Sequence, residues 1–156
     1  MRKTKACERG REIDCSRMER RLGYVLRCAQ FSVFQDITAV FAAANLRPIQ
    51  YCILSLVESN PGSKQSQIAD ALRIKKTNFV AMIDDLESCD LVRRVPSNSD
   101  RRSLGLHLTE AGAALMPKLH AISDAHEARV SDYIGAQTYR DLFAPLAALV
   151  EFRKPG

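Results

Sequence analysis

A mainly α-helical chain carrying one small β-hairpin is the fold class that this sequence predicts. Three observations predict it. Apolar residues recur at three-and-four spacing over most of the chain, the segment LGLHL (104–108) switches to a period of two, and the polar stretch PSNSDRRS (96–103) joins it to LVRRV (91–95).

The first helix is expected from about Arg17 to Ala44, with Leu22, Val25, Leu26, Ala29, Val33, Ile37, Val40, Phe41 and Ala44 on its apolar stripe. Phe31 and Phe34 widen that stripe, and a helix this long in a short chain usually buries its second face against another subunit. Asn45 to Pro48 interrupts the pattern, and Pro48 suits the first turn of a second helix carrying Ile49, Cys52, Ile53, Leu56 and Val57. The turn Asn60-Pro61-Gly62 ends it. Ser63 can cap a short helix, KQSQIADAL, with Ile68, Ala69 and Leu72 apolar, and Thr77 can cap the next, with Phe79, Val80, Ile83 and Leu86 facing inward. Two short helices joined by about four residues form a helix-turn-helix, and the hairpin after them is a wing. Thr109 then caps a helix with Glu110 in its first turn, and the tail to Phe152 is helical again, anchored by Leu115, Leu119, Ile122, Val130, Leu142, Leu146, Leu149 and Val150. The whole reads as a winged helix-turn-helix (46–109) flanked by helical dimerisation segments (17–45 and 110–153), behind a flexible basic tail (1–16).

Composition narrows the function classes. A net charge of +5 over 156 residues is compatible with an anionic partner. No apolar run approaches the roughly 18 residues that span a bilayer, and the charged opening MRKTKACERGREIDCSRMERR lacks the apolar core of a secretory signal, so a cytoplasmic protein without membrane contact is expected. Five widely spaced cysteines (Cys7, Cys15, Cys28, Cys52, Cys89) without a CxxC pair read as reduced thiols. His107, His120 and His126 form no metal constellation; no catalytic residue, cofactor site or phosphate-cradling loop is visible, and no enzyme is expected.

The candidate DNA-binding residues follow from the fold. The second helix of a helix-turn-helix presents its N-terminal residues to the major groove, here Lys75, Lys76, Thr77 and Asn78, types that meet phosphate, guanine, a thymine methyl and adenine. The wing adds Arg93 and Arg94 on its first strand and Asn98, Arg101 and Arg102 at its tip. Guanidiniums on a stiff hairpin suit a narrow minor groove, and Asp100 can orient one of them by an ion pair. The alternative is a solvated helix start and a charged tip that only keeps a sheet edge soluble.

These residues resemble the MarR family of winged-helix repressors. The resemblance rests on the pattern D-x-R-x-x-x-L-x-L-T-x-x-G, here Asp100, Arg102, Leu106, Leu108, Thr109 and Gly112, with LRPIQYCIL, QSQIADAL and IDDLESCDLVRR in support. It implies a homodimer that sets two winged helices on a pseudo-palindromic double-stranded operator, with centres roughly 10 bp apart, and that releases DNA when a small ligand binds between the dimerisation helices and the winged helix. By position, Thr77 and Asn78 begin the recognition helix and Arg102, with Asp100, is the wing residue. The chain departs from the pattern at Val80 and Ala81, where relatives carry a polar residue and an arginine, and at Arg73 and Asp90, where relatives carry glycines.

The stretch RLGYVLRCAQFSVFQD, with LRPIQYCIL and TNFVAMIDDLE, is similar to a branch that controls catabolism of aromatic acids and responds to the acid or its CoA thioester. Tyr24, Phe31, Phe34 and Tyr51 can pack a ring, and Arg27 or Arg47 can meet a carboxylate or phosphate, although aromatics at helical spacing also simply fill cores. A redox-sensing repressor of the same fold is the alternative. The peroxide-sensing branch has its thiol at the position of Gly23, but Cys15 and Cys28 lie among Arg17, Arg20 and Arg27. A winged helix used only for protein interaction, or an enzyme, stands further off.

Overall fold

The computed structural model describes residues 13–96 and 104–152. It divides into two units, one ending at Asp36 and one beginning at Ile37.

In the first unit the chain turns through Cys15 to Arg21, where the Met18 and Glu19 amides donate to the Cys15 carbonyl at 2.8 and 3.0 Å. It then enters α1 (Leu22–Ala42). The helix therefore starts five residues later than the apolar spacing suggests, because the Arg21 amide closes a tighter turn on the Met18 carbonyl at 2.8 Å and the regular ladder begins only with the Val25 amide on the Arg21 carbonyl. Leu22, Val25, Phe31, Val33 and Phe34 are exposed along it.

The second unit holds the last turns of α1, α2 (Pro48–Ser59), β1 (Ser63–Lys64), α3 (Gln65–Ala71), α4 (Lys76–Ser88), β2 (Val92–Pro96), β3 (Leu104–Leu108), α5 (Glu110–Ile134) and α6 (Ala136–Glu151). Phe41, Ile53, Leu54, Val57, Ile68, Phe79, Ile83, Leu86, Val92, Leu106, Met116 and Leu119 form its core, each nearly or fully excluded from solvent. Burying side chains of this size removes about 1.5–3 kcal/mol of unfavourable hydration each, which makes this cluster the main source of the unit's stability.

The sheet has three antiparallel strands in the order β1-β3-β2, one more than the expected hairpin. Val92 pairs with Leu108 and Pro96 with Leu104, while Ser63 pairs with Leu106 on the other side of β3. Two glycines allow that third strand. A Cβ at Gly105 would lie 2.6 Å from the Gly62 carbonyl oxygen, and Gly62 itself sits at φ +82° while its amide donates to the Leu106 carbonyl at 2.8 Å. Leu106 is buried, but Leu104 is exposed because β3 runs out past the core toward the hairpin end.

Three local expectations are corrected. Ser63 is taken into β1 and does not cap α3; the helix start is closed by the Lys64 amide donating to the Gln67 side chain at 2.8 Å. Thr77 does not cap α4, since Lys75 holds the extended cap position and Thr77 is already the second helical residue. Val80 does not face inward but is 46% exposed, because Phe79, Ile83 and Leu86 fill the buried stripe and Val80 lies a further 100° round the helix. Thr109 does cap α5, accepting from the Gly112 amide at 2.9 Å.

Arg73 and Asp90, the two residues standing where relatives carry glycine, adopt the left-handed conformation at φ +54° and +56°. For an arginine this costs about 1 kcal/mol, and the hydrogen bond from its guanidinium to the Val150 carbonyl is long at 3.4 Å and exposed. Arg73→Gly is accordingly expected to raise stability by about 0.5–1 kcal/mol, part of the relief being offset by the freer unfolded chain. Thermal unfolding measures it, and a clear loss of stability would contradict the left-handed turn.

Candidate nucleic-acid interface

The α3–α4 connection is tight. The Arg73 amide donates to Asp70 and the Ile74 amide to Ala69, at 3.1 and 2.9 Å, and the chain then extends at Lys75 before α4 begins. Phe79, Ile83 and Leu86 fix α4 against the core. That anchoring presents Lys75, Lys76, Thr77 and Asn78 together as an exposed helix start, with Ala81 also exposed beside them. Helix-start amides and two ammonium groups on one end have the chemistry that suits phosphate oxygens.

The β2 arginines have different settings. Arg93 is exposed, whereas Arg94 is largely covered and bridges Asp84 at 2.6 Å and Glu87, both on α4; its amide also donates to Glu87 at 3.2 Å. Burial works against its charge, but the hydrogen bonds to Asp84 and Glu87 outweigh that and hold its pKa above the ordinary value. Arg94 thus fastens the wing's first strand to α4, a task the sequence pattern did not reveal. Asn98, Asp100, Arg101 and Arg102 lie outside the described residues.

The residues expected to hold an aromatic ligand fall in both units. In the first, Tyr24 is partly covered, and Arg27, Phe31 and Phe34 are exposed on α1. Hydrogen bonds with the Cys15 and then the Cys28 side chain push the Tyr24 hydroxyl up to about 12. In the second, Tyr51 packs on Phe41 with ring centroids 4.9 Å apart, and its hydroxyl meets His120 Nδ1 at 3.1 Å. His120 Nε2 in turn meets Glu58 at 2.8 Å, so a carboxylate, an imidazole and a phenol form a chain from α2 to α5 and back. Partners 62 and 69 residues apart leave no sequence signal for it. Arg47 is paired with Asp85 of α4 at 3.1 Å, an exposed contact of small energetic weight. Burial pushes the Cys52 thiol up, which lowers its reactivity.

An open cleft of about 610 Å³ in the first unit is lined by Ser16, Arg17, Arg20 and Arg21. The spacing of its arginines was visible in SRMERRL, but the turn that gathers them was not. Among the described residues no group of three His, Cys, Asp or Glu side chains is placed to hold a metal ion, and no helix is long and apolar enough to cross a membrane.

A helix pair with an exposed basic helix start, followed by a hairpin pinned to that helix, defines a winged helix-turn-helix protein. The model of the MarR family matches residues 44–103. A solved structure of the transcriptional repressor CouR bound to a 23-mer DNA duplex is 37% identical, with a TM-score of 0.85 over 90% of this chain and 99% of that one. The chain belongs to the MarR family of transcriptional regulators. A structure of CouR bound to p-coumaroyl-CoA is 33% identical, with a TM-score of 0.79 over 92% of this chain and 100% of that one. A candidate transcriptional regulatory protein for the hcr operon of Thauera aromatica is 29% identical over 99 residues, 63% of this chain and 60% of that protein's length.

Proposed function

We propose that this chain is a cytoplasmic, homodimeric repressor that binds a pseudo-palindromic operator of an aromatic-acid catabolic operon and releases it when a small aromatic acid or its CoA thioester binds. The carrying observation is the solvent-facing start of α4, Lys75 to Asn78, braced by a wing strand. Likeness to CouR structures bound to a DNA duplex and to p-coumaroyl-CoA supports both halves of the reading. In it, residues 46–109 bind DNA, with Arg93 and the wing-tip residues Asn98, Asp100, Arg101 and Arg102 beside the helix start. Segments 17–45 and 110–153 pair the subunits, supported by the exposed Phe31, Phe34, Leu142, Phe143, Leu146 and Val150, and Tyr24, Arg27, Phe31, Phe34, Arg47 and Tyr51 serve the effector.

Repression is lifted if the effector prefers a dimer whose recognition helices are wrongly spaced for consecutive major grooves. Operator must then weaken effector binding by the same factor, about 1–3 kcal/mol. Electrophoretic shift over a salt series tests the DNA half: affinity for one operator should fall steeply with salt, and Lys75→Ala/Lys76→Ala should flatten the logarithmic slope by about 2 while weakening all sequences alike. Salt-independent binding would refute it. Titrating p-coumaroyl-CoA with and without operator tests the other half, and equal affinities would sink the allosteric account.

One observation favours the redox alternative: the Cys15 and Cys28 side chains both act on the Tyr24 hydroxyl and push it up. Under that reading a hydroperoxide releases the operator and Cys15→Ser/Cys28→Ser abolishes the release.

A further inference from the structure

We propose that Arg73 is a positioning residue that ties the helix-turn-helix connection to the C-terminal end of α6 and so sets the angle at which α4 is offered to DNA. Two observations, one at the backbone and one at the side chain, carry this. Arg73 holds a left-handed conformation at φ +54°, and its guanidinium donates to the carbonyl of Val150, 77 residues away in the last turn of α6. Glycine would take the same φ without strain. One long, exposed hydrogen bond, even aided by the negative end of the α6 dipole, does not repay that strain, so stability does not account for an arginine here. A strained residue that its surroundings hold in place points to function.

The surroundings do hold it. The Leu72 amide donates to Ile68 at 3.0 Å, the Arg73 amide to Asp70 and the Ile74 amide to Ala69, and Ile68 and Ala69 are themselves buried. The Arg73 side chain therefore leaves a fixed backbone, and Lys75, the cap position of α4, follows two residues on. At the other end, carbonyls in the last turn of a helix lack intrahelical partners, which suits Val150 to a cation. No residue of α6 is buried, and Tyr139 joins its first turns to Glu127 of α5, so Arg73 acts on the end that Tyr139 does not reach. The proposal rests on the reading above of a homodimer on an operator with two half-sites. In it α6 belongs to the pairing segment and α4 to the DNA-binding segment, and a tie between them fixes their relative angle. Each base pair inserted between half-sites turns one against the other by roughly 34°, which a dimer with fixed heads tolerates poorly.

The test uses the full-length protein and a duplex that the wild type selects from a random-sequence library, with versions carrying two base pairs more or fewer between the half-sites. The wild type should bind the altered spacings about 100-fold more weakly than the selected one. Arg73→Gly should cut that penalty to about 10-fold, weaken binding of the selected duplex about 3-fold, and leave the logarithmic salt slope unchanged. It should also speed amide hydrogen exchange in residues 147–152, the end of α6, while its unfolding midpoint does not fall. Arg73→Lys keeps the strain and a cationic donor and should restore part of the spacing penalty. Lys75→Ala/Lys76→Ala is the contrast, lowering the salt slope while keeping the penalty. Wild-type exchange in α6 together with a wild-type spacing penalty in Arg73→Gly overturns the tie. A salt slope lowered in Arg73→Gly with the penalty intact makes Arg73 a phosphate contact, which also overturns it. If the wild type shows no spacing preference, the reading of a dimer on two half-sites fails, and the tie then stands or falls on the hydrogen exchange of α6 alone.

Discussion

Gly112→Ala is expected to destabilise the protein by about 3–5 kcal/mol, a large share of the 5–15 kcal/mol that holds an ordinary domain together. A Cβ at this position would lie 2.1 Å from the Leu91 carbonyl oxygen and 3.0 Å from its carbon, and both atoms are backbone. Neither side can give way cheaply. The same carbonyl accepts from the Thr109 amide at 3.2 Å, the Thr109 hydroxyl donates to the Asp90 carbonyl, and the Gly112 amide donates to that hydroxyl at 2.9 Å. Pushing α5 off Leu91 therefore breaks several hydrogen bonds, each worth about 1 kcal/mol, and opens the packing around Met116. Thermal unfolding followed by circular dichroism measures the loss. Gly23→Ala is the control, since a Cβ there meets nothing within 4 Å and alanine favours an exposed helix by about 1 kcal/mol. Wild-type stability in Gly112→Ala would show that α5 does not approach Leu91 this closely.

Arg94→Ala should weaken operator binding by about 10-fold while leaving the salt dependence almost unchanged. An arginine that neutralises a phosphate contributes about one unit to the logarithmic salt slope. Arg94 instead spends its guanidinium on Asp84 and Glu87, so its loss frees the wing strand from α4 and bares two carboxylates toward a polyanion. Because those carboxylates are partly solvated, the stability cost stays near 1–2 kcal/mol. Arg94→Lys should recover only part of the affinity, as one ammonium cannot fork between two acids. Arg94→Ala/Asp84→Asn/Glu87→Gln should recover more, because the bared charges are gone. A slope reduced by a full unit in the single variant would make Arg94 a phosphate contact.

The two positions differ in how much of them a sequence reader can see. Gly112 ends a motif, so its importance was legible, but its reason, one carbonyl at Leu91, appears only when two distant segments meet. Arg94 looked like its neighbour Arg93, and only the strand register separates the arginine that faces α4 from the one left exposed. Among the described residues the periodicities located the helical stretches and both hairpin strands, because burial of one face leaves a spacing in the residues themselves, but not the break at Gly135 that divides α5 from α6. The two-residue β1 left no such spacing, since its pairing depends on two glycines facing each other. Caps at Ser63 and Thr77 were misplaced for a similar reason: several polar residues near a helix start can serve, and the first bond made elsewhere decides which does. The left-handed turns at Arg73 and Asp90, by contrast, followed from the positions of glycines in related chains.

The lack of any buried residue on α6 makes abundance a property of the regulator. A 16-residue helix is marginal in water without a partner for its apolar face. Tyr139 reaches Glu127 of α5 and stacks edge-on with Phe143 of α6 itself at 5.1 Å, which secures the first turns of the helix. If a second copy covers the remainder, the helix is completed by mass action, and the unfolding midpoint rises with the amount of protein present. A cell holding few copies would then lose operator occupancy twice over, through fewer molecules and through a smaller fraction of them fully folded.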